Sequence, residues 1–97
     1  MLTSKQRATL RKIIATEQSV GQIGKEGLSE NCLIGIEQAL LAREVIKVSV
    51  LNNCEASAKD LAYEIAEKLN CEVVGVIGKK IIFYKRNPKN KKHVEID

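Results

Sequence analysis

The residues best suited to chemistry in this chain are two pairs of glycines, Gly24-Lys25-Glu26-Gly27 and Gly75-Val76-Ile77-Gly78. A Gly-x-x-Gly turn between a strand and a helix presents successive backbone N–H groups in a concave nest, and the helix behind it adds about half a positive charge, so an anion is stabilised there. A Cβ in such a turn would stand between the backbone and a sugar-phosphate chain, and glycine removes it. KH domains clamp nucleotide backbones with loops of this kind. In the first pair Lys25 would supply a long cation, whereas Glu26 would repel phosphate and is expected to be a bystander. The second pair lies between two β-prone runs with no helix behind it, so Gly75 reads as a bulge or close approach and Gly78 as a hairpin residue, beside Lys79 and Lys80. Taken alone, the first pair favours a plain turn.

Other chemistry is poorly supplied. Cys32, Cys54 and Cys71 form no Cys-x-x-Cys pair and have only His93 to join them, so a four-ligand zinc site is not expected. Their odd number argues against a disulfide framework and for small buried hydrophobes in a reducing compartment. No Ser-His or paired-carboxylate arrangement can be assembled, which leaves no catalytic residues, no metal and no cofactor to expect. With Tyr63, Phe83 and Tyr84 as the only aromatics, base stacking is not the main mode of any nucleic-acid contact. Binding would depend on phosphates.

The net charge of +4 is modest, but its distribution is informative. Lys5, Arg7, Arg11, Lys12 and Lys25 outweigh the acids of the first 27 residues, and Lys85, Arg86, Lys89, Lys91 and Lys92 those of the last stretch, around a slightly acidic middle. A fold that brings these ends to one side would carry the electrostatic footprint of a polyanion binder. No apolar run approaches the ~20 residues of a membrane span, and the N-terminus shows no apolar signal segment. A soluble, cytoplasmic protein is expected.

The elements that must position these groups follow from periodicity. Ninety-seven residues, 44% hydrophobic, suit one domain with a single two-layer core. Leu10, Ile13 and Ile14 predict a first helix from Ser4 to about Ala15, and Ser19–Ile23 a short strand ending at the Gly24 turn. Ser29 is a good N-cap for a second helix to about Ala42, carried by Cys32, Leu33, Ile36, Ala39 and Leu40, with Gly35 marking close packing against a neighbour. Residues 44–51 alternate as a half-buried strand, Lys47 and Ser49 outward. Ser57 and Asp60 open a third helix to Leu69, and 71–78 and 80–86 form a hairpin about Gly78-Lys79. The sum is an α/β two-layer sandwich, α-β-α-β-α-β-β, with a mixed four-stranded sheet spanning residues 1–86. Residues 87–97 read as a basic, mobile tail.

The blocks "LTSKQRATLRK", "GKEGLSE", "AL" with "REVIKV", and "VIGKKIIFYKR", in this order and spacing, resemble the CRM domain (chloroplast RNA splicing and ribosome maturation) in its stand-alone bacterial YhbY-like form. The resemblance covers about residues 2–86 and implies the same element order, similar to the C-terminal domain of translation initiation factor three. It implies a non-enzymatic RNA-binding protein associated with ribosomal RNA in large-subunit precursors; ribosomal proteins are a further expected class of partner. The family's loop falls on Gly24, Lys25, Glu26 and Gly27, its basic first helix on Lys5, Arg7, Arg11 and Lys12, and its closing strand on Lys85 and Arg86. Lys79 and Lys80 join these as candidate RNA contacts. The alternative is a protein-interaction module that docks on a ribosomal protein or assembly factor through the exposed sheet face or the second helix.

Overall fold

A computed structural model describes residues 2–87 and Lys89. Its elements are α1 (Ser4–Ile14), β1 (Gly21–Ile23), α2 (Glu30–Arg43), β2 (Val45–Val50), α3 (Ala58–Leu69), β3 (Glu72–Ile77) and β4 (Lys80–Tyr84), in the expected order. Hydroxyl caps start the helices. Thr3 and Gln6 exchange side-chain and backbone hydrogen bonds in a capping box at α1, and the Ser29 and Ser57 hydroxyls accept from the backbone N–H of Cys32 and Asp60. The strands form one mixed sheet in the order β1-β2-β4-β3, with β1 parallel to β2 and the other neighbours antiparallel.

Helices cover both faces of this sheet. Ile46, Val48 and Val50 of β2 and Ile81 and Phe83 of β4 pack with Ile36 and Leu40 of α2 and Leu61 and Ile65 of α3. The alternate residues, Val45, Ile82 and Tyr84, pack with Val74 under Leu10 and Ile14 of α1. The two-layer arrangement therefore describes α2, α3 and the sheet, and α1 adds a third layer. In consequence β2 is not half-buried: Lys47, whose alternation suggested an outer face, is only 9% exposed. Its aliphatic stem extends what α1 buries. On α1 itself Ile13 is left 40% exposed, off the stripe that Leu10 and Ile14 form.

Three local features differ from expectation. Gly35 has nothing within 4 Å of where a Cβ would stand, so it marks no close packing. Gly35→Ala should therefore stabilise the domain by about 0.5–1 kcal/mol through helix propensity; an unchanged or lowered denaturation midpoint would contradict this. Glu44, 1% exposed, ends α2 with a φ of 66°, a position usually held by glycine. It is a junction: its N–H donates to the Leu40 carbonyl, its carbonyl accepts from Lys85 N–H, and its Oε2 accepts from Asn87 N–H at 2.7 Å. Asn87, with its side chain donating to the Leu41 carbonyl at 2.9 Å, thus belongs to the folded body. The rest of the expected mobile tail, apart from Lys89, lies outside the described residues.

Burial also sets the alkaline limit of the fold. It pushes the Cys71 thiol up to about 11 from its ordinary 9.0, with nearby Lys85 opposing and Glu72 reinforcing the shift. Tyr84 is raised too, by burial and then by Glu44, against Arg86. Groups held neutral in this way contribute stability in full below their unfolded values and lose it as pH rises through the folded ones. The melting temperature should fall between pH 9.0 and about 11, and Cys71→Ala should make that fall shallower. A profile equally steep in the variant would refute the contribution of Cys71.

Candidate functional site

The Gly24–Gly27 segment is a hydrogen-bonded turn, the Gly27 N–H donating to the Gly24 carbonyl at 2.9 Å. Gly27 has a φ of 71°, with open space where a Cβ would stand. Glycine adopts that conformation without steric cost, and it leaves the backbone bare toward solvent at the mouth of α2. Gly24 is closer to its surroundings, with Leu51 Cδ1 3.3 Å from its Cβ position. Half-buried Leu28 packs against the core behind the turn and fixes it, while Lys25 and Glu26 are exposed.

The loop does not stand alone. Two consecutive N–H groups at the end of β2 tie three segments together: Val50 donates to the Lys79 carbonyl at 2.7 Å and Leu51 to the Ile23 carbonyl at 2.8 Å. The glycine loop and the β3–β4 hairpin therefore flank the same strand end, about two strand spacings or ~10 Å apart. The N-termini of α2 and α3, which follow β1 and β2 there, open toward this end as well. Exposed Lys25, Lys79 and Lys80 and two positive helix ends thus share one end of the domain.

The remaining sequence candidates are placed differently. Arg7 and Arg11 of α1 reach β3, the strand farthest from β1: Arg11 Cδ lies 3.6 Å from the Gly75 Cβ position, and Arg7 lines a cleft along β3. Lys5 and Lys12 are exposed on the same helix. The basic helix therefore extends the charged surface across the far face and edge of the sheet rather than enclosing the loop. Gly75 behaves as expected, at a register shift between Val73 and Gly75 and under the Arg11 side chain.

Lys85 and Arg86 follow the other end of β4, five residues from the hairpin, and the structure does not bring them to the loop. Lys85 is half-buried and structural, its Nζ donating to the Leu69 carbonyl at 2.9 Å at the C-terminus of α3. Lys59 and Tyr63 are the side chains that sequence reasoning missed. Both face the β3 cleft from α3, and their four-residue spacing on one helix face was the available signal.

Among the described residues no group of three His, Cys, Asp or Glu side chains could hold a metal ion, and no helix is long and apolar enough to cross a membrane. Cys54 is buried, and Cys32 and Cys71 are half-buried against the same core cluster, all three as free thiols.

Over residues 2–85 the sequence matches the CRS1 / YhbY (CRM) domain. The chain belongs to the CRM family. It is similar to "Probable RNA-binding protein YqeI" of Bacillus subtilis, 41% identical over 91 residues that cover 94% of this chain and 95% of that protein. It also resembles "Probable RNA-binding protein PA4753" of Pseudomonas aeruginosa, 29% identical over 93 residues that cover 96% of this chain and 89% of that protein. The solution structure of SAV1595 from Staphylococcus aureus shares the fold with a TM-score of 0.82 at 40% identity, covering 100% of both chains. These CRM relatives are named for RNA binding and not for catalysis.

Proposed function

We propose that this CRM protein binds structured RNA through its phosphate backbone, that its target is ribosomal RNA in precursors of the large subunit, and that it assists assembly of that subunit in the cytoplasm. The observation that carries the reading is the convergence at one strand end: a glycine turn with an open backbone, two helix N-termini, and the cations Lys25, Lys79 and Lys80. A phosphate in the turn would accept backbone N–H bonds, with Lys25 closing over it from the tip. A second phosphate would reach Lys79 or Lys80 across the strand end. Such contacts position a nucleic acid without reading its sequence, so affinity for folded RNA should vary little with sequence.

The test separates the backbone from the side chains of the loop. Lys25→Ala should reduce the slope of log affinity against log salt by about one, the signature of one lost phosphate contact. Gly27→Asn keeps a residue that tolerates positive φ while adding a side chain in the open space, and should weaken RNA binding without changing the circular dichroism. Normal affinity and salt slope in both folded variants would remove the loop from the site. Sedimentation of the tagged protein with large-subunit precursors rather than mature ribosomes is the corresponding expectation in cells.

A further inference from the structure

The open cleft on the edge of the sheet, about 630 Å³ in volume, is not used by the loop and hairpin. Its floor is the outer side of β3 over residues 72–76, and its walls are Arg7 of α1 and Lys59 and Tyr63 of α3. Because β3 is an edge strand, those of its backbone N–H and C=O groups that point away from β4 are left for another partner. Tyr63 is 61% exposed, and Arg7 Nε is buried with no hydrogen-bond partner. That nitrogen is closed to solvent, so a ligand in the cleft would meet the accessible remainder of the part-exposed Arg7 side chain and not Nε itself. The geometry points to a site for a single unpaired nucleotide of RNA, its base on the Tyr63 ring and against the β3 edge, its phosphates on Lys59 and Arg7.

The chemistry matches group by group. A tyrosine face accepts any base by stacking, an open strand edge offers both donors and acceptors to a base's hydrogen-bonding edge, and two cations suit the flanking phosphates. The one carboxylate among the lining residues, Glu72, begins β3, whereas Lys59 lies in the first turn of α3 and so at the hairpin end. Phosphate would enter at that end, beside Lys79 and Lys80, which makes the cleft continuous with the proposed backbone site. An added peptide strand fits less well. The register shift between Val73 and Gly75 interrupts the regular ladder that a fifth strand would need.

This assignment rests on the RNA-binding reading, so its test must fail separately. Fluorescence anisotropy with the full chain would compare a short single-stranded RNA with a blunt duplex of the same sequence. Tyr63→Ala, at an exposed position, should weaken the single strand roughly five- to a hundredfold, as loss of one stacked base does, and leave the duplex within about twofold. Tyr63→Phe should bind both as the parent does, and the amides of residues 72–76 should shift with the single strand. Parent-like binding of the single strand by Tyr63→Ala, or equal loss on both RNAs, overturns the cleft while leaving the loop site standing. A parent protein that binds neither RNA overturns both. Shifts of the β3 amides with an extended acidic peptide but not with RNA would reassign the cleft to a protein strand.

Discussion

Raising the salt from about 50 to about 200 mM is expected to weaken binding of a structured RNA roughly tenfold. The estimate follows from the end of the domain where the loop turn, Lys25, Lys79 and Lys80 meet. With one phosphate held in the turn under Lys25 and a second at Lys79 or Lys80, about two counterion-release events contribute, each worth a slope of about 0.9 in log affinity against log salt. Aromatic contacts cannot replace that term, because Phe83 and Tyr84 are buried and Tyr63 alone offers an exposed ring. Filter binding or anisotropy across the salt range measures the slope directly. A slope near zero would mean that the affinity does not come from phosphates, and would favour docking on a protein surface instead.

The order of elements was legible because each is punctuated by local chemistry: Ser29 and Ser57 cap their helices, and Gly78 with Lys79 turns the hairpin. The glycine loop was legible as a turn for the same reason. Which side α1 takes was not, since Lys47 and Ser49 imitate a solvent face. The structure instead buries the Lys47 stem and pairs the Ser49 hydroxyl with that of Ser19. Lys85 was misplaced by composition: a cation in a basic run reads as surface, and only the tertiary approach of β4 to the end of α3 shows that it caps a carbonyl. Glu44 gave no signal, because its left-handed conformation is enforced by bonds to residues more than 40 positions away, such as Asn87, as well as by its neighbours. The β3 cleft brings α1 to α3 and β3, which lie far from it in sequence, and no spacing announces that Arg7 lines the same cleft as Tyr63.

Phe83→Ala should cost about 3–5 kcal/mol, lowering the melting temperature by about 4–8 °C for each kcal/mol lost. Phe83 is fully buried, directly opposite Ile46 of β2 and Val73 of β3, at the middle of the sheet and under α3. Removing the ring leaves a cavity that the strands cannot close without losing their register. Leu10→Ala, on the other face, should cost about 2–5 kcal/mol by the same mechanism, because Leu10 anchors α1 over Val74 and Ile82. If α1 were a loosely attached arm, Leu10→Ala would instead leave the urea midpoint of the sheet unchanged and lose only α1 helicity. The two variants also separate stability from binding. The register of β2 against β4 is what holds the hairpin lysines beside the glycine loop, so a Phe83→Ala protein that remains folded at low temperature should keep the parent salt slope. Its apparent affinity should drop only by the unfolded fraction, and a changed slope in fully folded protein would show that the core sets the charge geometry less rigidly than this sheet implies.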